Sequence, residues 1–196
     1  MNIKTLIGIG VAALLLFYGV SVNNGLVNKQ ETVNQRWAQV ENQYQRRADL
    51  VPNLVNTVKG AADFEKSTLT QVIEARSKAS SIQVSANDLN NPQKLQQFQQ
   101  AQKQLSGALS RLLVTVEKYP ELKANANFRD LQNQLEGTEN RIATERQRFN
   151  EAVQTYNTEI RLFPGNLFAS ILGFEKKAYF EADEGAEEAP EVNFDQ

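Results

Sequence analysis

The densest cluster of side chains capable of chemistry is Arg46, Arg47 and Asp49, placed just ahead of Pro52. Two guanidiniums beside a helix kink could clasp a carboxylate or a phosphate through paired N–H donors. Adjacent residues on a helix leave at different azimuths, so an ion pair from one of them to another helix is the competing role. Glu136, Glu139 and Glu145 form a second group. They could bring carboxylates together for general acid–base work, or pair with Arg141, Arg146 and Arg148 along one solvated helix face. Metal binding needs convergent hard oxygens, and helical spacing alone does not supply convergence. Leu167, Phe168 and Phe174, in the apolar run 164–180, are candidates for contact with lipid or a partner rather than for catalysis.

What is missing narrows the chemistry further. The 196 residues contain no cysteine and no histidine. Thiolate nucleophiles, disulfides, cysteine-bound metals, imidazole ligands and Ser-His-Asp triads are therefore excluded. Gly8-Ile9-Gly10 lies inside an apolar stretch and cannot cradle a phosphate, so no cofactor is expected. A concentrated basic stripe is lacking, which sets nucleic acid aside. The net charge of −2 hides an arrangement. No basic residue follows Lys177, whereas Glu181, Asp183, Glu184, Glu187, Glu188, Glu191 and Asp195 are acidic. A mildly basic body thus carries an acidic tail, 181–196, expected to be mobile.

The elements that must position these residues begin with an anchor at 1–25. Leu6 to Val22 is uncharged, and with Ile3 the stretch is about 30 Å as helix, enough to cross a bilayer. A cleaved signal peptide is the alternative, with Lys4 as basic flank and Gly19-Val20-Ser21 as small residues for cleavage. Gly8 and Ala12 form a small-xxx-small pair of the kind that brings membrane helices together. Lys4 on one side and Lys29 and Arg36 on the other nearly balance, and signal-like architecture places the domain outside.

Residues 26–163 read as an all-α, elongated, antiparallel up-and-down bundle. Val33, Trp37, Val40, Tyr44, Ala48, Val51, Leu54 and Val58 advance in steps of three or four along one stripe. The phase continues through Ala62, Glu65, Leu69, Val72, Arg76 and Ala79. Pro52 should kink this helix and free the carbonyl of Ala48. Residues 26–80 therefore form one bent helix of about 80 Å, or two antiparallel helices if the chain turns near Lys59-Gly60. Ser80–Pro92 is loop. A second stripe runs Leu95, Phe98, Gln102, Leu105, Leu109, Leu112, Val116 and Tyr119, ended by Pro120. A third runs Phe128, Leu131, Leu135, Thr138, Ile142, Glu145, Phe149, Val153, Tyr156 and Ile160, ended at Phe163-Pro164-Gly165. The bundle thus has three long helices, or four with the turn at Gly60. Gln and Asn make up roughly a fifth of the chain and load the opposite faces, as for a solvated bundle surface. Residues 164–180 read as a short helix plus an extended segment capping the open bundle end, with an interfacial lipid-touching helix as the alternative.

Asn34-Gln35-Arg36-Trp37, QYQRRADLVPNLVNTVKG at 43–60, EARSKA at 74–79, the run 119–157 and FPGNLFASILGF at 163–174 together resemble the bacterial LemA family. The resemblance covers the chain from the anchor to Phe180, and leaves out the acidic tail beyond Asp183. It implies a membrane-anchored helical protein of the cell envelope, without catalytic residues to carry over. The partners it implies are a TPM-domain protein or a membrane peptidase. It also implies a cytoplasmic domain, opposite to the side the flanking charges favour.

These readings converge on a non-enzymatic scaffold or interaction protein, single-pass in the bacterial inner membrane and self-associating. The alternatives are a sensor or adaptor working through the Pro52 kink, a membrane-remodelling protein acting through 164–180 and, last, a carboxylate-dependent hydrolase.

Overall fold

The computed structural model describes residues 2–60 and 64–181. The first helix, α1 (Ile3–Lys59), is a single unbroken element that carries the apolar stretch and the first core stripe together. Its N-terminal part is long and apolar enough to cross a membrane, and none of that part is buried within the molecule. Such a surface is stable only in a nonaqueous surround. No helix break falls at residues 25 and 26; Leu26 is the first fully buried residue of the core.

The chain turns after Lys59, and α2 (Lys66–Ser81) runs back beside α3 (Pro92–Val116). Of the two arrangements open for residues 26–80, the turn near Gly60 is the one adopted. The continuous phase does not distinguish them, because residues on either side of the turn face the same core. Leu69 and Val72 of α2 are buried in the same cluster as Leu54 and Val58 of α1. Burial of each such side chain contributes about 1.5–3 kcal/mol, enough to favour folding back over extending into water. Glu65, in phase but exposed, immediately precedes α2, and Ala62 lies outside the described residues.

A 3₁₀ turn (Ala86–Asn90) lies in the loop before α3, closed by reciprocal bonds between Ser85 and Asp88. Asn91 caps α3, its Oδ1 accepting from the Lys94 amide at 3.1 Å, with Pro92 at the first turn where no donor is required. Pro120 opens the short α4 (Pro120–Ala124). Asn125 then caps α5 (Ala126–Glu159), accepting from the amides of Asn127 and Phe128. Helix α5 packs antiparallel along α1, and α2 along α3, so the second, third and fourth helical passes close a four-helix bundle around α1.

The core comes in two clusters. One, nearer the anchor, holds Leu26, Trp37, Tyr44, Phe98, Phe149 and Tyr156. The other, towards the far end, holds Val51, Leu54, Val72, Leu109, Leu112 and Leu135. Between them lie the buried polar residues Arg47, Gln102 and Thr138.

Helix α6 (Gly165–Leu172) packs against α1 near Tyr18. Gly173, at φ 76°, ends it in the left-handed conformation that glycine adopts without a Cβ penalty. The chain then runs extended to Glu181. This segment does not cross the bundle end. It lies lengthwise against α3 and α5, because side-chain amides of those helices bond its backbone. Ala169 of α6 does close the anchor-side core cluster. The acidic tail, apart from Glu181, lies outside the described residues.

Candidate functional site

At the boundary between the two core clusters, Arg47 of α1 is 1% exposed and reaches two other helices. Its Nη1 donates to Ser106 Oγ at 2.6 Å and to Glu139 Oε1 at 2.8 Å. Its Nη2 donates to Gln102 Oε1 at 2.6 Å and to the Gln102 carbonyl at 3.2 Å. The guanidinium also lies over the Tyr44 ring, 5.1 Å from its centroid. Only a planar fork of donors satisfies acceptors on α3 and α5 at once, which is why arginine rather than lysine fits here. Among the described residues, Nε has no hydrogen-bond partner.

The layer extends to the remaining helix. Pro52 has no N–H to give to the carbonyl of Ala48, and Arg76 Nε of α2 donates to that carbonyl at 2.8 Å. Gln102 Nε2 donates to the Ala79 carbonyl at 3.3 Å, joining α3 to the end of α2. Thr138, also buried, bonds back to the Gln134 carbonyl within α5. A cleft of about 220 Å³ opens onto this layer, lined in part by Arg47, Lys103, Glu139 and Arg146.

The four-residue cluster read from the sequence is thus divided. Arg47 and Pro52 belong to the polar layer, while Arg46 and Asp49 are exposed on other azimuths. Asp49 borders a separate groove of about 440 Å³ with Glu41 and Arg76. Burial pushes the Glu41 carboxyl above its usual range. Of the glutamates, Glu139 meets Arg47, Glu145 pairs with Arg148 at 2.6 Å, and Glu136 accepts from Gln132. They do not converge; among the described residues no group of three or more acidic side chains is arranged to hold a metal.

Residues that sequence reasoning passed over hold the C-terminal segment. Asn157 takes both polar groups of Lys177, donating to its carbonyl at 2.8 Å and accepting from its amide at 2.9 Å. Asn150 does the same for Phe180, and Gln99 for Glu181. The spacing matches: seven helical residues rise about 10.5 Å and three extended residues about 10 Å. Tyr156 Oη donates to the Glu175 carbonyl, and burial raises the Tyr156 pKa. Phe180 enters an aromatic box, stacked on Trp37 with centroids 5.8 Å apart and edge-on to Phe149, with Arg146 over its outer face. A signal existed for Gln102, Arg76 and Thr138, which are polar residues in phase with apolar stripes. For Asn150 and Asn157 the only signal is their seven-residue separation beside a stripe.

Phe168 and Phe174 are half-buried, and Leu167 is exposed, all on the α6 side of the molecule. The fold and its polar layer define an all-α bundle braced by a buried arginine and continuous with an apolar N-terminal helix of membrane-spanning length. The chain belongs to the LemA family, whose profile matches residues 36–194. That match begins within α1, beyond its apolar stretch, and extends into the acidic tail, further than the motif resemblance reaches.

Among curated proteins, it is 28% identical over 190 residues to magnetosome protein MamQ 2 of Paramagnetospirillum magneticum, covering 87% of this chain and 67% of that protein. It is 28% identical over 196 residues to magnetosome protein MamQ of Magnetospirillum gryphiswaldense, covering 91% and 72%. Protein LemA of Metamycoplasma hominis is 26% identical over 171 residues, covering 86% and 74%. None of these names describes an enzyme.

Proposed function

We propose that the protein is a single-pass scaffold of the bacterial inner membrane, non-enzymatic and self-associating, that holds a rigid polar bundle at a set distance from the bilayer. The observation that carries this reading is the continuity of α1 from Ile3 to Lys59. The anchor and a core helix are one element, so no flexible linker uncouples the bundle from the membrane. About 20 residues lie in the hydrocarbon, and the rest of α1 projects about 55 Å beyond it. The Arg76 bond to Ala48 braces the helix at Pro52, which supports a strut rather than a hinge. Exposed Gln96, Gln97, Gln100 and Gln104 line α3 and offer amide donors and acceptors to a partner. The envelope partners implied by the family resemblance are a TPM-domain protein or a membrane peptidase. The engagement of Glu136, Glu139 and Glu145 in separate pairs supports the non-enzymatic reading over a carboxylate-dependent hydrolase.

Crosslinking in native membranes followed by mass spectrometry tests this. Homo-oligomeric or partner crosslinks through the bundle are expected; recovery of isolated monomers alone refutes the proposal.

A further inference from the structure

Residues 162–174 carry no charged side chain; Arg161 precedes them, and Glu175, Lys176 and Lys177 follow, so the flanks are basic on balance. Helix α6 within this run is seated against α1 where the uncharged stretch of the anchor ends. The Phe168 ring lies 5.5 Å from that of Tyr18. Gly19 makes the close approach possible, since a Cβ there would come within 2.9 Å of the Phe168 ring. Gly165 faces Val22. With these contacts made, α6 still turns apolar side chains outward: Ile171 is 82% exposed and Phe163 79%, with Leu162, Leu167 and Leu172 also open.

A cluster of this kind in water would be a liability, but its position supplies the covering. Tyr18 and Val20 of the anchor, exposed beside it, lie about 5–8 Å short of the level where a helix beginning at Ile3 leaves about 30 Å of hydrocarbon, within the depth an interfacial helix reaches. The apolar face of α6 is therefore continuous with the lipid-facing surface of α1. Exposed Arg161 and Lys176 sit at its two ends, suited to phosphate headgroups.

We propose that α6 and the Leu162–Phe163 turn form a second membrane contact, an interfacial foot embedded in the leaflet from which the bundle emerges. The proposal deepens the membrane-anchored reading and rests on it. A helix lying in the interface buries its apolar face about 5–10 Å into the boundary of headgroups and acyl chains. Two contacts, the anchor and the foot, fix the tilt and rotation of the bundle, whereas the anchor alone would let it swivel about α1.

The chain has no native cysteine, so single cysteines report cleanly. The full chain is reconstituted in phosphatidylcholine–phosphatidylglycerol vesicles with an environment-sensitive fluorophore at Ile171→Cys, Phe163→Cys, Leu14→Cys or Ser110→Cys, all at exposed positions. Quenching is read with spin-labelled lipids and with aqueous iodide. The labels at 171 and 163 are expected to be quenched by lipid several-fold more than the label at 110, as the label at 14 is, and to be shielded from iodide. Quenching at 14 with iodide-accessible labels at 171 and 163 overturns the foot and leaves the anchor standing. Labels at 171 and 163 shielded from iodide but untouched by lipid spin labels also overturn it, because a second copy or another protein then covers the face. Failure of lipid to quench at 14 removes the anchor reading and the foot with it.

Discussion

Replacing Glu139 with Ala, alone and together with Arg47→Met, tests whether the bundle is braced through its polar layer. The Arg47 side chain is 1% exposed and that of Glu139 37%, with 2.8 Å between Nη1 and Oε1. Breaking a fully buried pair costs about 3–5 kcal/mol, and breaking an exposed one about 0–1. Glu139 is open enough for solvent to screen much of the attraction, which places the coupling at about 1.5 kcal/mol. Arg47 keeps its bonds to Ser106 and Gln102 in Glu139→Ala, so that variant should lose about 2 kcal/mol in all. Arg47→Met relieves the cost of keeping a charge dry but leaves the buried Gln102 amide oxygen without its donor, for a similar loss of about 1–3 kcal/mol. The double variant should lose less than the sum. Urea unfolding of the full chain in micelles, followed by fluorescence of the single Trp37, measures each term. Losses that add to within about 0.5 kcal/mol would refute the coupling and with it the role assigned to the layer.

Other outcomes follow from the same contacts. Arg76→Met should cost about 1–3 kcal/mol by orphaning the Ala48 carbonyl, and less in a Pro52→Ala background, where a new amide reclaims that carbonyl; equal losses in both backgrounds would exclude the brace. Asn157→Ala should cost about 1–2 kcal/mol and speed hydrogen exchange at residues 177–180 without affecting the α5 backbone; unchanged exchange there would show that Asn157 does not hold the segment. Lys94 and Ser85 hold the Asp88 carboxyl well below the usual carboxylate range. Its stabilising effect is therefore complete above about pH 4, the ordinary carboxylate value, and is lost as pH falls through the depressed one. Asp88→Asn should lower the neutral-pH urea midpoint and flatten its decline below that pH, and an unaltered acid limb would contradict the assignment.

Much of the fold was legible along the chain because helical periodicity is a local property. The stripes at Val33–Val58, Leu95–Tyr119 and Phe128–Ile160 each predicted a helix, and each forms one, although α3 stops at Val116, three residues before the end of its stripe. The turn after Lys59 was legible only as one of two possibilities. Gly60 adopts a right-handed helical conformation, and the in-phase residues on both sides face a core in either arrangement, so only packing between helices selects the turn. The site was less legible. Arg46 and Arg47 are equivalent as residues, and their separation into an exposed and a buried side chain depends on where Gln102, Ser106 and Glu139 arrive from other helices.

Residue order by itself determined the apolar helix, the helical stripes, the exclusion of thiol and imidazole chemistry, and the loss of the Ala48 hydrogen bond at Pro52. These depend on composition and on neighbours within a few turns. Tertiary structure alone decided that Arg76 takes the freed carbonyl, that Arg47 spans three helices, and that Asn150 and Asn157 bind an extended segment. It also decided that α6 rests on the anchor at Gly19 with its apolar face outward. Each of these joins groups distant in sequence, and a hydrogen bond or ring contact between such groups exists only once the helices have been brought within ångströms of one another.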